Sequence, residues 1–98
     1  MRFDKGISLY KINIVEDEVG GRKEELKFIK NYYANINYLT LEETVRIYGT
    51  AMKGIMKATV LGNTTNDVDR IKYLNKIYRV TNITKYRQKT SFLLEVIE

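Results

Sequence analysis

A chain of 98 residues holds one domain, 1–98, and at this size burial of roughly 65% of the unfolded surface supports a core without staples. The absence of cysteine and histidine excludes disulfides, thiolate zinc sites, imidazole ligands and every catalytic constellation built on His. Seventeen Lys and Arg against twelve Asp and Glu leave a net charge of +5, and all of it belongs to residues 50–98. From Arg70 to Leu94 there is no acidic residue, while Arg70, Lys72, Lys76, Arg79, Lys85, Arg87 and Lys89 all occur. Such a half is either a set of solvated strand faces or a surface for nucleic acid or an acidic partner. No apolar run reaches the ~20 residues that span a bilayer, and no signal-peptide core follows Met1, so cytoplasmic assembly away from membranes is expected.

Along the chain the dominant period is two, and Gly, Asn and Asp must make the turns because proline is absent. Tyr10, Ile12 and Ile14 alternate with Lys11 and Asn13 as a first strand. Residues 16–26, with Glu16-Asp17-Glu18, Gly20-Gly21 and Glu24-Glu25, read as a long acidic loop that buries little. These acids lack the order and the distal Glu of a calcium loop, so no metal is expected. Tyr32, Ala34, Ile36 and Tyr38 then mark one face of a second strand.

Thr40-Leu41-Glu42-Glu43 has the form of a capping box, Leu41, Val45 and Tyr48 recur at helical spacing, and Gly49 can stop the helix. The insertion from 40 to 53 therefore carries one short helix. Glu42 and Glu43 complement the helix dipole better than they form an acid–base pair, because adjacent helical residues diverge by about 100°. Strands follow through Met56, Ala58 and Val60, through Tyr78 and Val80, and through Phe92, Leu94 and Val96, with turns at Gly62-Asn63, Asn66-Asp67 and Leu74-Asn75. Leu93 and Ile97 give the last strand a second apolar face suited to a partner.

Tyr32, Tyr38 and Tyr78 fall on core faces, which leaves Tyr33, Tyr73 and Tyr86 exposed. The segment 84–89 reads as a basic hairpin tip with Lys85, Tyr86, Arg87 and Lys89. No phosphate-binding glycine loop occurs, and neither a catalytic residue nor a cofactor is expected. The fold class is mainly β: a small antiparallel barrel of five or six strands, closed to remove its edges, with one helix between the second and third.

The stretch Ile71, Tyr73, Asn75, Lys76, Tyr78, Val80 and Ile83 resembles the form Ile-x-Tyr-x-Gly-Lys-x-Tyr-x-Ile-x-x-Ile of the head–tail joining family of tailed bacteriophages. That family holds the head-closure or stopper proteins. Asn75 stands at the turn glycine, a mild change because Asn tolerates positive φ. The tryptophan often found before the second strand is missing, with Phe28 or Tyr32 in its place.

The resemblance implies a non-enzymatic virion protein. Copies would form a homo-oligomeric ring in the neck, between the portal or adaptor and the tail, around packaged double-stranded DNA. On that likeness Thr40, Leu41, Glu42, Glu43, Arg46, Tyr48 and Lys53 would face the channel or the next subunit. The tip Lys85, Tyr86, Arg87 and Lys89 would face DNA or a partner. Two alternatives stand beside it: an OB-like single-stranded nucleic-acid binder using Tyr73, Tyr86 and the basic tip, and a tail-completion or tail-terminator protein.

Overall fold

The computed structural model describes residues 2–64 and 67–97. It comprises β1 (Lys5–Glu16), β2 (Arg22–Tyr38), α1 (Leu41–Tyr48), β3 (Met56–Leu61), β4 (Arg70–Tyr73), β5 (Lys76–Lys85) and β6 (Lys89–Val96). The six strands close into an antiparallel barrel in the order β1-β2-β3-β6-β5-β4, with the single helix between β2 and β3 as the sequence predicts. The turn expected at Asn66 lies outside the described residues.

The barrel is solid. Ile7 and Leu9 of β1, Met56, Ala58 and Val60 of β3, Ile71 of β4, and Phe92 and Leu94 of β6 all point inward and are buried. Phe92 and Leu94 lie beside Ala58 and Met56 across the β3–β6 ladder, so period-two alternation alone fills the interior. Full burial of one such side chain stabilises the fold by about 1.5–3 kcal/mol. Among the described residues these side chains fill the interior.

The turn from β4 to β5 is a two-residue hairpin, with Leu74 at φ 50 and Asn75 at φ 64. Two successive positive φ values are the signature of a type I′ turn, which matches the twist of its strands. Asn75 suits that position. Leu74, 74% exposed, is there against its steric preference.

Five sequence expectations are corrected. Residues 16–26 are not a long loop: β1 runs through Glu16, β2 begins at Arg22, and the ladder continues to the Glu16–Arg22 pair. Alternation persists on both sides of the turn, with Ile12 opposite Leu26 and Lys11 opposite Lys27, and this sustains a ribbon where the acids had indicated coil.

Leu93 is not free for a partner, because it is buried at 8% exposure on the wall covered by the insertion; Ile97 remains exposed. Tyr38, the last residue of β2, is 69% exposed although its ladder partner Met56 is buried, while Tyr73 is half-buried and packs against the core. Leu41 and Val45 are about half exposed; the helix buries Thr44 instead.

Candidate interaction surfaces

The insertion is pinned at several points. Thr40 Oγ1 accepts from the Glu43 N–H at 3.1 Å, and Glu43 Oε1 accepts from the Thr40 N–H at 3.1 Å, completing the capping box. These hydrogen bonds from Thr40 hold the Glu43 carboxyl below its ordinary pKa, aided by the charges of Arg46 and Lys57. Gly49, at φ 80, ends the helix by donating to the Val45 carbonyl. Thr44 Oγ1 donates to the Leu41 carbonyl at 2.7 Å and accepts from the Met52 N–H at 3.0 Å, tying the helix to the segment that leads back to β3.

Tyr48 bonds Thr81 Oγ1 at 2.8 Å, and Thr81 in turn donates to the Leu93 carbonyl. A cleft of about 250 Å³ lies between Glu43 and Ile47 of the helix and Lys57, Ser91 and Leu93 of the barrel. The helix therefore lies against the outer wall of its own barrel. Leu41, Glu42, Arg46 and Lys53 face solvent.

The basic tip has the predicted hairpin form. The Tyr86 N–H donates to the Lys89 carbonyl, and the Gly62 N–H donates to the Gln88 carbonyl, which fixes the tip to the end of β3. Lys89 Nζ stands 5.5 Å from the centre of the Tyr86 ring, within cation–π range. Lys85 and Arg87 are exposed. Together with Phe3 and Leu61 the tip borders an open groove of about 560 Å³.

The seven residues that carry the family likeness are mostly barrel wall. Ile71 and Tyr78 are buried; Tyr73, Val80 and Ile83 pack against the core; Asn75 and Lys76 make the turn exposed to solvent. Burial raises the Tyr78 phenol above its ordinary pKa, with Tyr38 and Tyr73 adding to the effect. The candidate stacking pair does not assemble. β4 and β5 run in opposite directions, so Tyr73 sits at the end of the barrel far from Tyr86. Among the described residues no group of three or more Asp, Glu, His or Cys is placed to hold a metal.

Sequence reasoning missed the largest surface feature. β3 flanks β2 only from Ala34 to Tyr38, and β4 flanks β1 only from Ser8 to Tyr10. Asp69 Oδ2 accepts from the Ile12 N–H at 2.9 Å and holds the base of the ribbon. Residues 13–25 therefore project as a two-stranded arm with strands about 13 Å long at ~3.3 Å per residue, and the molecule measures 47 Å along its longest axis. One face of the arm is apolar. The Tyr10 and Phe28 rings meet edge to face at 5.8 Å, Ile12 lies opposite Leu26, and Ile14 follows opposite Glu24.

The other face carries Lys11, Lys23 and Lys27 with Glu25. The arm's turn is fixed by Asp17, whose Oδ1 accepts from the Val19 and Gly21 N–H groups. An alternation of Leu26 and Phe28 with Glu25 and Lys27 was the signal available in the sequence.

Comparison with protein-family models and with curated protein sequences gives no match. Two solved structures are similar over nearly the whole chain. The solution structure of protein SF1141 from Shigella flexneri 2a superposes with a TM-score of 0.76 at 15% identity, covering 98% of this chain and 94% of that one. A chain in the virion of a native gene transfer agent particle superposes with a TM-score of 0.65 at 13% identity, covering 99% of this chain and 97% of that one. At these identities the likeness establishes a shared fold.

Proposed function

We propose that this protein is a structural component of a phage-like particle, a head–tail joining protein that acts by assembly rather than by catalysis. The observation that carries the reading is the end-to-end likeness to a chain of a gene transfer agent virion. The family-like stretch from Ile71 to Ile83 supports it independently, since its residues form the β4–β5 hairpin of that same barrel. On this reading copies form a ring in the neck between portal or adaptor and tail. The packed interior of each barrel makes it a wall element, so the channel for DNA lies between copies. The cations of the basic half act there through non-specific attraction to phosphate.

A single-stranded nucleic-acid binder is less well supported, because Tyr73 is half-buried and stands at the other end of the barrel from Tyr86. The deciding experiment is mass spectrometry of purified tailed particles, followed by labelling of this chain in intact particles. Several copies per particle, located at the neck, are expected. Location along or below the tail would replace the joining role with tail completion. Absence from particles would overturn the structural reading.

A further inference from the structure

The apolar face of the arm is out of place on a protein standing alone. Ile14 is 61% exposed, Phe28 53% and Leu26 45%, and these residues line one side of an isolated two-stranded ribbon. A ribbon of this kind is marginal in water unless its apolar side is covered. Strand alternation sets Tyr10, Ile12 and Ile14 on the side of β1 opposite the core residues Ile7 and Leu9. The face therefore looks away from its own barrel.

What covers it is indicated by a second surface. β1, β3 and β5 run in one direction, so the arm and the β5–β6 tip emerge at the same end of the barrel. In the closed order β1-β2-β3-β6-β5-β4 the two hairpins are separated by one strand on either side, β3 and β4, and so lie across the barrel from each other. The groove at the tip offers apolar Phe3, Leu61 and Tyr86 beneath the cations of Lys85, Arg87 and Lys89.

The arm offers an apolar ladder bordered by Glu24 and by the Glu16–Arg22 cross-strand pair, with Glu18 at its turn, so the acids there outnumber the single cation. Apolar surface matches apolar surface, and acid matches base. Asp17 is already committed to its own turn.

We infer that the arm of one copy lays its Tyr10–Ile14 and Leu26–Phe28 face on the Phe3–Leu61–Tyr86 groove and basic tip of the next copy. The contact is heterologous, with different patches on its two sides, and patches on opposite flanks at one level suit a closed ring of side-by-side barrels. This inference rests on the ring reading above and names the interface that reading needs.

The native chain has no cysteine, which makes disulfide trapping clean. Leu26→Cys and Leu61→Cys variants of the full chain, each soluble and folded by circular dichroism, are mixed at high concentration and oxidised. Leu74→Cys, at the opposite end of the barrel, is the control. The Leu26–Leu61 heterodisulfide is expected to form at least about tenfold faster than either homodisulfide or any Leu74→Cys product.

Reversing charge on the arm (Glu16→Lys with Glu24→Lys) should slow that cross-link. Adding Lys85→Glu with Arg87→Glu on the tip partner should restore it. A dominant Leu26→Cys homodisulfide would show arms pairing with arms and overturn the proposal. Trapping no faster than the Leu74→Cys control, or loss without charge-swap recovery, would also overturn it. Because the assay uses the purified chain, specific trapping with no copies in virions would sink the neck role alone. Copies at the neck without trapping would sink this interface alone.

Discussion

Among the contacts that pin the insertion, the Thr44 hydroxyl is the one whose contribution can be isolated by a single isosteric change. Thr44 is fully buried, and its Oγ1 both receives the Met52 N–H at 3.0 Å and donates to the Leu41 carbonyl at 2.7 Å. Thr44→Val keeps the shape and a comparable helix propensity while removing both bonds. The Leu41 carbonyl retains its place in the helical ladder, so its loss is small. The Met52 N–H is left without its partner in a part-buried site, which costs about 1–3 kcal/mol.

For a domain of this size each kcal/mol lowers the melting midpoint by about 4–8 °C, so a central 2 kcal/mol amounts to about 8–16 °C. Thr44→Ser supplies the control: it keeps the hydroxyl and loses one methyl, worth about 0.8 kcal/mol. Thermal and urea unfolding followed by circular dichroism would measure both variants. The expected order is wild type, then Ser, then Val. If Val matches wild type or exceeds Ser in stability, the hydroxyl does not tie the helix to the segment that leads back to β3 and the reasoning fails.

The other expectations follow from single residues. Phe92→Ala opens a cavity in the filled barrel and should cost about 3–5 kcal/mol in urea unfolding; a loss below 1 kcal/mol would mean the core is not closed around it. Leu74→Asn relieves a branched-chain residue at φ 50 and should raise stability by about 1 kcal/mol, whereas an unchanged melting midpoint would argue against a type I′ turn. Glu43 has a folded pKa below the ordinary glutamate value, so its stabilising effect is present above that ordinary value and is lost as the pH falls through the lower folded one. Glu43→Gln should therefore flatten the acid limb of the stability curve, and an identical pH profile in mutant and wild type would refute the capping box.

The strands of the core were legible because alternation and burial coincide: Ala58 and Val60, Ile71, Phe92 and Leu94 are apolar where the pleat turns inward. The helix was legible because Thr40 and Glu43 are purely local chemistry. Its buried face was not, since Leu41 and Val45 have the better hydrophobicity and Thr44 has the better hydrogen bonds. Only the position of the barrel wall decides between them.

The arm failed for the opposite reason. Five acids among residues 16–25 weigh towards coil in any local reading, yet backbone pairing between Lys11–Glu16 and Arg22–Lys27 does not require either face to be buried within the chain. Leu93 shows the converse case: a residue on the outward face was marked for a partner, and the insertion of its own chain covers that wall.

These placements give the barrel two unlike ends, and this difference bears on how the proposed ring would be built. The arm and the basic tip share one end, while the insertion and the β4–β5 turn leave from the other. Because the helix is held by Thr44 and by the Tyr48–Thr81 bond, it is a fixed ridge on the outer wall of β3, β6 and β5. Its solvent face, with Leu41 and Val45 half exposed, stays available to a second contact. A ring joined through the arm and the tip would bring a neighbour to Tyr86, which also lines the helix cleft, and would leave the outward Leu41 and Val45 to neighbours above or below the ring. Variants of Leu26 or Phe28 should then block assembly of the ring itself, whereas Leu41 and Val45 variants should still form rings and fail at the next step of attachment. Equal failure of both sets at ring formation would mean that the helix belongs to the inter-subunit contact, and the division of labour between the two ends would fall.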